Sequence, residues 1–198
     1  MKRILAIALL AALGQQALAG DWTVKLGAHV VDPKSDNGTL AGTLPIDVDS
    51  NTRPSLMVEY LWTPNWGVEV LAAVPFEHEI RTGGAKIGEI THLPPTVTLQ
   101  YHFNPEGSVS PYIGAGLNYT FIYDEESKGP IAGSRLRLDD SFGLAAHAGI
   151  DFKLNERWSL GADIRWIDLN TDVTLDGADI GEAEVDPLAY GAYLLYRF

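Results

Sequence analysis

The end of the chain carries the strongest constraint on its fold. From Leu188 onward, every residue of one parity is apolar or aromatic, and these residues are Leu188, Tyr190, Ala192, Leu194, Tyr196 and Phe198. Successive side chains of a β-strand point to opposite faces, so this pattern predicts a strand with one continuous apolar face. Such alternation, closed by a terminal aromatic residue, is typical of the last strand of a bacterial outer-membrane barrel.

The start of the chain predicts a secretory signal peptide. Lys2 and Arg3 precede an apolar run over residues 4–13, and Ala17-Leu18-Ala19 forms a cleavage site of the A-x-A kind. We therefore expect residues 1–19 to be removed and residues 20–198 to form one domain. The apolar run is shorter than the ~20 residues of a spanning helix, and no later stretch is apolar enough to span as one. A membrane-embedded mature protein must then cross as a closed sheet.

Composition excludes several classes of function. The chain has no cysteine, which rules out a disulfide framework or a thiolate metal site. Its formal net charge of −12 leaves no basic stripe for phosphate, so we expect no nucleic-acid partner. Asp168, Asn170 and Asp172 imitate the start of an EF-hand loop, but Val173 stands where the sharp turn needs glycine. We expect no metal and no cofactor.

Period-two runs bounded by turn residues predict eight strands. The runs cover residues 22–31, 53–63, 66–78, 93–103, 110–123, 138–153, 157–169 and the segment that ends at Phe198. Short connections alternate with long ones at 32–52, 79–92, 124–137 and 170–185. Membrane barrels place short turns in the periplasm and long loops outside. The predicted fold is an all-β, eight-stranded antiparallel transmembrane β-barrel with short periplasmic turns and long extracellular loops. Asp176-Gly177 additionally predicts a hairpin tip above the membrane.

Aromatic residues near the short turns predict an interfacial girdle. They are Trp22, Trp62, Trp66, Tyr101, Phe103, Tyr112, Phe152, Trp158, Tyr196 and Phe198. The alternative is a soluble, lipocalin-like barrel of eight strands, which would turn its apolar face inward around a ligand. That fold needs neither the girdle nor the aromatic C-terminus.

Several blocks of sequence resemble a known family. The blocks are GVEVLAAVPF at 67–76, HLPPT at 92–96, PYIGAGLNYT at 111–120, DSFG at 140–143, VDP at 185–187 and YRF at 196–198. Together they make the chain similar to the OmpW family of outer-membrane proteins, which includes AlkL and OprG. The resemblance covers the mature chain in order. It implies an eight-stranded barrel that passes small, mostly apolar molecules across the outer membrane without energy input.

The inward-facing parity predicts the lining of the lumen. The predicted solute path is lined by Met57, Leu71, Ala73, Thr96, Thr98 and Arg165. With Pro75, the apolar members of this set would leave a pocket with few charges in the outer half of the lumen. The resemblance implies that Leu71 and Arg165 hold positions where the family narrows the lumen with apolar side chains. The charge of Arg165 departs from that pattern.

The charged inward-facing residues predict a plug. The plug residues are Lys25, Glu59, Glu69, Asp151 and Asp163, on the periplasmic side. An eight-stranded barrel is narrow enough for side chains to fill it, and buried charges need partners. A salt-bridged plug follows, with an ion-conducting path as the alternative.

Three prolines predict a weak place in the wall. Pro75 and the pair Pro94-Pro95 fall in neighbouring strands near the loops. Proline cannot donate a hydrogen bond to a sheet, so strand pairing is weakened there. We predict a lateral exit at Pro75, Pro94 and Pro95. The alternative is that these prolines only end the strands.

Other classes of protein leave weaker signatures. A hydrolase needs a serine held by a histidine, and none accompanies His147, while His29 and His102 lie on separated strands. We therefore expect no catalytic residues. A structural, adhesion or receptor barrel with a packed lumen stays open as the alternative. The expected location is the outer membrane of a Gram-negative bacterium. Expected partners are its lipid, lipopolysaccharide bridged to acidic loops, small hydrophobic solutes and, through Phe198, the barrel assembly machinery.

Overall fold

The structure, a computed structural model, describes residues 21–198. The predicted signal peptide lies outside the described residues. The strands, in chain order, are β1 (Asp21–Asp32), β2 (Thr39–Leu40), β3 (Leu44–Pro45), β4 (Asp47–Val48), β5 (Asn51–Leu61), β6 (Trp66–Ala73), β7 (Phe76–Thr82), β8 (Ala85–Leu93), β9 (Thr96–His102), β10 (Val109–Ser127), β11 (Leu136–Leu138), β12 (Ser141–Lys153), β13 (Trp158–Ile167), β14 (Asn170–Leu175), β15 (Ala178–Glu184) and β16 (Leu188–Arg197). A single 3-10 turn, Gly129–Ile131, interrupts them within these residues.

Eight of these strands close into an antiparallel barrel. Their order is β1-β5-β6-β9-β10-β12-β13-β16, and β16 pairs again with β1. Val24 illustrates the closure, because it lies opposite Val58 on one side and Tyr196 on the other. The predicted fold class is confirmed.

The barrel wall is apolar outside and largely polar inside. Val70, Ile113 and Leu160 lie on the outer face and are about half exposed. A wall of exposed apolar side chains is stable when hydrocarbon surrounds it, which is the condition of a membrane barrel. Tyr112 departs from the predicted girdle, since it is buried in the lumen. Among residues 21–198, no helix is long and apolar enough to cross a membrane.

The strands extend further than predicted at one end of the barrel. The segment predicted as a loop at 79–92 is mostly the hairpin of β7 and β8, and the predicted third and fourth strands break near Pro75 and Pro94-Pro95. The predicted hairpin tip at Asp176-Gly177 is confirmed: both residues have positive φ and join β14 to β15. Isoleucines buried between the β7–β8 and β14–β15 hairpins contribute to an apolar core outside the barrel. A solvated loop would have no such core.

Two parts of the molecule follow from this architecture. The barrel proper consists of the eight closed strands. We call the end that carries the short connections at 62–65, 103–108 and 154–157 the turn end. The loop-end extension comprises residues 33–50, 74–95, 121–140 and 168–187. Its core is apolar and consists of Leu40, Ile46, Ile80, Ile87, Ile90, Leu136, Leu138, Val173 and Ala183.

Candidate functional site

A network of buried ion pairs fills the lumen. Lys25 Nζ lies 2.7 Å from Glu69 Oε2 and 3.5 Å from Glu59 Oε2, and all three side chains are fully buried. His102 Nε2 donates to Glu59 Oε1 at 2.8 Å. Lys25 therefore pairs with two carboxylates, and the side chains of all three residues are closed off from solvent.

Arg165 continues the network toward the loop end. Its Nη2 lies 2.9 Å from Glu69 Oε1 and 3.3 Å from Asp163 Oδ2. The predicted solute path included Arg165, but the structure places it within the ion pairs. Arg165 and Asp163 are two residues apart on β13, so both side chains point into the lumen. They do so at the level where Glu69 enters it from the opposite wall.

Two tyrosines tie Asp151 to the same network. Tyr193 donates to Asp151 Oδ1 at 2.7 Å, and its hydroxyl lies 2.7 Å from that of Tyr112. Lys25 Nζ stands over both rings, 4.7 Å from the centre of Tyr112 and 5.4 Å from that of Tyr193. A cation over an aromatic face is stabilised by the ring quadrupole. Sequence reasoning missed Tyr112 here, although its even parity on β10 pointed inward.

The network draws on residues from both ends of the strands. Glu59 lies two residues before the turn end of β5, whereas Arg165 lies two residues before the loop end of β13. The structure therefore brings together all five predicted plug residues and adds Arg165 to them. Charged side chains occupy the cross-section where a straight passage would run.

A histidine of the network also touches a serine. His29 donates from Nε2 to Asp163 Oδ1 at 2.8 Å, and its Nδ1 lies 2.7 Å from the hydroxyl of Ser55. The sequence pattern showed no serine beside His147 and did not reveal this contact at His29, which arises because β1 and β5 are adjacent and bring Ser55 to it. All three side chains are buried within the lumen.

The apolar residues of the predicted solute path are packed. Met57 and Leu71 form a cluster with Tyr193 and Leu195. Ala73 packs against a second cluster near the loop end, formed by Val31, Phe76 and Ala189. These contacts replace the open pocket expected in the outer half of the lumen, because aromatic and aliphatic side chains of opposite strands fill the narrow barrel.

The threonines of the predicted path are buried as well. Thr96 donates to Pro94 O at 3.1 Å and accepts from Asn118 Nδ2 at 3.0 Å. The hydroxyl of Thr98 has no hydrogen-bond partner among residues 21–198. The solute-path role of these residues stays a prediction.

A cavity of about 120 Å³ lies instead in the loop-end extension. Its walls come from residues 33–50, which we call the first loop, from the β7–β8 hairpin and from β11, β14 and β15. The wall residues include Leu40, Leu44, Ile46, Ile80, Ile87, Ile90, Leu136, Leu138, Val173, Leu175 and Ala183. None of the six predicted path residues lines it. Carbon lining of this kind keeps water out and favours an apolar occupant.

Phe76 lies between this cavity and the lumen. It packs with Val31 and Ala189 at the top of the barrel. Its ring also stacks on His92, with 5.5 Å between ring centres, and His92 lines the cavity. The aromatic ring is therefore the boundary between the two compartments.

The predicted prolines lie at a gap in the sheet. Leu71 pairs with Thr96 at the end of the barrel ladder, and Phe76 pairs with His92 at the start of the extension. Residues 72–75 and 93–95 make no ladder pairs with each other. We call this gap the seam; Pro75, Pro94 and Pro95 all belong to it. Val74, within the seam, is 51% exposed on the outer face.

Comparison with known proteins identifies the family. The OmpW family model matches residues 18–198, nearly the whole chain. The chain belongs to the OmpW family. Outer membrane protein W of Vibrio cholerae is 42% identical over 92% of both chains. The OmpW family resemblance drawn from the sequence blocks is confirmed.

Solved structures agree with this assignment. The crystal structure of OprG from Pseudomonas aeruginosa is 32% identical and covers 91% of this chain and 96% of its own, with a TM-score of 0.81. The solution structure of outer membrane protein W from E. coli is 34% identical, covering 92% of this chain and all of its own, with a TM-score of 0.65. Like these OmpW family members, the protein is an outer-membrane barrel. Its turn end therefore faces the periplasm and its loop-end extension the exterior.

Proposed function

We propose that the protein is a passive route for small, mostly hydrophobic molecules across the outer membrane. A solute enters the apolar cavity of the loop-end extension and leaves sideways through the seam into the bilayer. The observation that carries this proposal is the position of the carbon-lined cavity, directly above a lumen closed by buried charges.

The ion network argues against a straight path through the barrel. An apolar molecule that passed Lys25, Glu69 and Arg165 would break their ion pairs. The separated charges would then be buried without water to solvate them. Separating a buried pair costs several kcal/mol because each charge is left unpaired. The bilayer, in contrast, offers hydrocarbon beside the seam, and transfer into it gains ~0.8 kcal/mol per methylene.

The seam supplies the lateral route. Closing a strand pair requires N–H donors, and Pro75, Pro94 and Pro95 have none to give. The wall at this level is therefore held by side-chain packing and by bonds to the outer neighbours, such as Val74 N to Pro54 O at 3.0 Å. Local opening there breaks fewer hydrogen bonds than opening elsewhere in the barrel.

The test is selective uptake into proteoliposomes that contain lipopolysaccharide. Radiolabelled toluene and radiolabelled xylose are added outside, and entry is followed by rapid filtration. Faster entry of toluene alone, relative to protein-free liposomes, supports the proposal. Equal acceleration of both would instead mean a wet pore, and no acceleration of either would mean that the barrel is not a route.

A structural, adhesion or receptor barrel is the second candidate. It is favoured by the packed clusters around Met57 and Phe76, which leave the lumen filled. Such a barrel would act through its outer surface, and neither solute would enter faster in the uptake experiment.

We also propose two partners for assembly and anchoring. Phe198 is 74% exposed at the open end of β16, where the barrel assembly machinery can reach it. Acidic loops such as 168–187 can be bridged to lipopolysaccharide by divalent cations. Lys34 already neutralises part of this surface, since its Nζ lies 2.7 Å from Glu184 and 3.0 Å from Asp186.

A further inference from the structure

Two histidines form one side of the apolar cavity. His78 on β7 and His92 on β8 both line it, and their ring centres lie 4.9 Å apart. The ring of Phe76 lies 5.5 Å from that of His92 and 6.3 Å from that of His78, so the three rings pack against one another. His78 and His92 are titratable, whereas the other side chains of the wall are aliphatic residues or threonine.

The hydrogen bonds of the pair are incomplete. His78 donates from Nδ1 to the backbone oxygen of Asp49 at 2.5 Å, which leaves Nε2 as a buried acceptor. Neither His78 Nε2 nor His92 Nδ1 has a partner among residues 21–198. A proton added to either of these nitrogens would therefore have no acceptor beside it, and the charge of the ring would lie in apolar surroundings.

The surrounding charges do not compensate. On the first loop, the carboxylate of Asp49 is 3.1 Å from Arg81 Nε, and on β5 Arg53 pairs with Glu77 at 3.0 Å. Arg81 also pairs with Glu79. The cavity-lining residues from β10 and β14, Thr120, Ile122 and Thr171, are uncharged. The nearest ionised groups are therefore already neutralised by one another.

We propose that His78 and His92 make the cavity responsive to acid: the uncharged pair closes it around an apolar solute, and protonation opens it and releases the solute. This inference rests on the proposed function, because it concerns the regulation of the same cavity. His78 lies two residues after Phe76 on β7, and His92 pairs with Phe76 across the β7–β8 ladder, so hydration of a charged histidine displaces the three packed rings at the cavity floor.

The direction follows from proton linkage. Burial lowers the pKa of His78, and burial together with the neighbouring His78 lowers the pKa of His92 from 6.5 to about 3. A group that binds a proton more weakly in the closed state favours the open state as pH falls. The closed state is fully favoured above pH 6.5 and is lost as pH falls toward 3. Between pH 7.5 and 4.5 the linkage of His92 favours opening by up to about a hundredfold.

The experiment measures toluene binding by isoleucine methyl NMR of the protein in lipid nanodiscs, at pH 7.5 and pH 4.5. Ile80, Ile87 and Ile90 report from the cavity wall. We expect toluene to shift these methyl signals at pH 7.5, with an affinity that falls at least about tenfold at pH 4.5. The matched control is His92→Phe, which keeps an aromatic ring, removes the proton and breaks no hydrogen bond seen among the described residues.

The outcomes separate the two proposals. Absence of toluene binding at pH 7.5 would contradict the proposed function itself. Binding of equal affinity at both values of pH would overturn the histidine proposal and leave the transport proposal standing. If His92→Phe loses affinity at pH 4.5 as steeply as the wild type, the proton bound by His92 does not control the cavity and the proposal is wrong. A second variant, His78→Phe, is expected to lose part of the response.

Discussion

Arg165 and Glu69 form an ion pair across the lumen, 2.9 Å apart although 96 positions separate them in the chain. Their side chains come from β13 and β6, which are not neighbours in the barrel. The pair therefore joins opposite walls and blocks the middle of the lumen. Together with Lys25, it explains why a solute needs another way out.

Breaking this pair should destabilise the barrel. In Glu69→Gln, Arg165 and Lys25 lose the charge that both contact, so we expect the free energy of unfolding to fall by about 3–5 kcal/mol. Urea unfolding followed by tryptophan fluorescence in lipid vesicles measures the change. The control Glu77→Gln removes a half-exposed carboxylate and should change stability by less than about 1 kcal/mol. Equal losses in the two variants would contradict the importance of the network.

The tyrosine contacts of the lumen make Gly161 sensitive to substitution. A Cβ at this position would lie 2.4 Å from the ring of Tyr193 and 2.5 Å from Asp151 Oδ1. Gly161→Ala must displace that hydrogen bond, and we expect a loss of about 1–3 kcal/mol in unfolding free energy. Ala162→Val, on the lipid-facing side of the same strand, is the control. An unchanged Gly161→Ala variant would mean that the lumen is more loosely packed than the structure indicates.

Filling the cavity should slow apolar uptake. Ala183 is buried in the cavity wall, so the added methyl groups of Ala183→Leu occupy the space that a solute would take. We expect slower toluene entry into proteoliposomes without loss of folded protein. Ala148→Leu makes the same change on the outer wall of the barrel and should leave entry unchanged. Toluene entry at the wild-type rate in Ala183→Leu would place the route outside the cavity.

The contact of Ser55 with His29, whose other ring nitrogen donates to Asp163, should be structural. Neither Ser55 nor His29 lines the loop-end cavity, so we expect a fluorophosphonate probe, which labels activated serines, to leave Ser55 unmodified. Ser55→Ala should cost about 1–3 kcal/mol of stability, because His29 Nδ1 loses its buried partner. Covalent labelling of Ser55 in the folded protein would instead indicate a hydrolase.

The barrel was predictable because every wall strand has lipid on one side and the lumen on the other, so its side chains must alternate with a period of two residues. The alternation ending at Phe198 and the even count of strands both follow from that constraint. The same alternation places Tyr112 in the lumen, where the structure has it. Its assignment to the girdle rested only on its position near a short turn. Local parity was therefore the stronger signal.

The loop-end extension was harder to predict because its strands bury apolar residues against each other, above the membrane. Gly83-Gly84 and the charged residues of β7 and β8 have the composition of a solvated loop. The cavity depends on contacts between four separate connections. The partners of Arg165 depend on the stagger of the strands around the barrel, which no single stretch of sequence encodes.

The most direct test of the account is toluene entry into lipopolysaccharide-containing proteoliposomes with the seam closed. Pro75→Val with Pro95→Val restores backbone donors at the gap, and Pro111→Val, in the exposed wall of β10, is the matched control. We predict that the double variant takes up toluene more slowly than the wild type, at equal amounts of folded protein, and that Pro111→Val is unchanged. Unchanged entry through the double variant would contradict lateral exit at the seam.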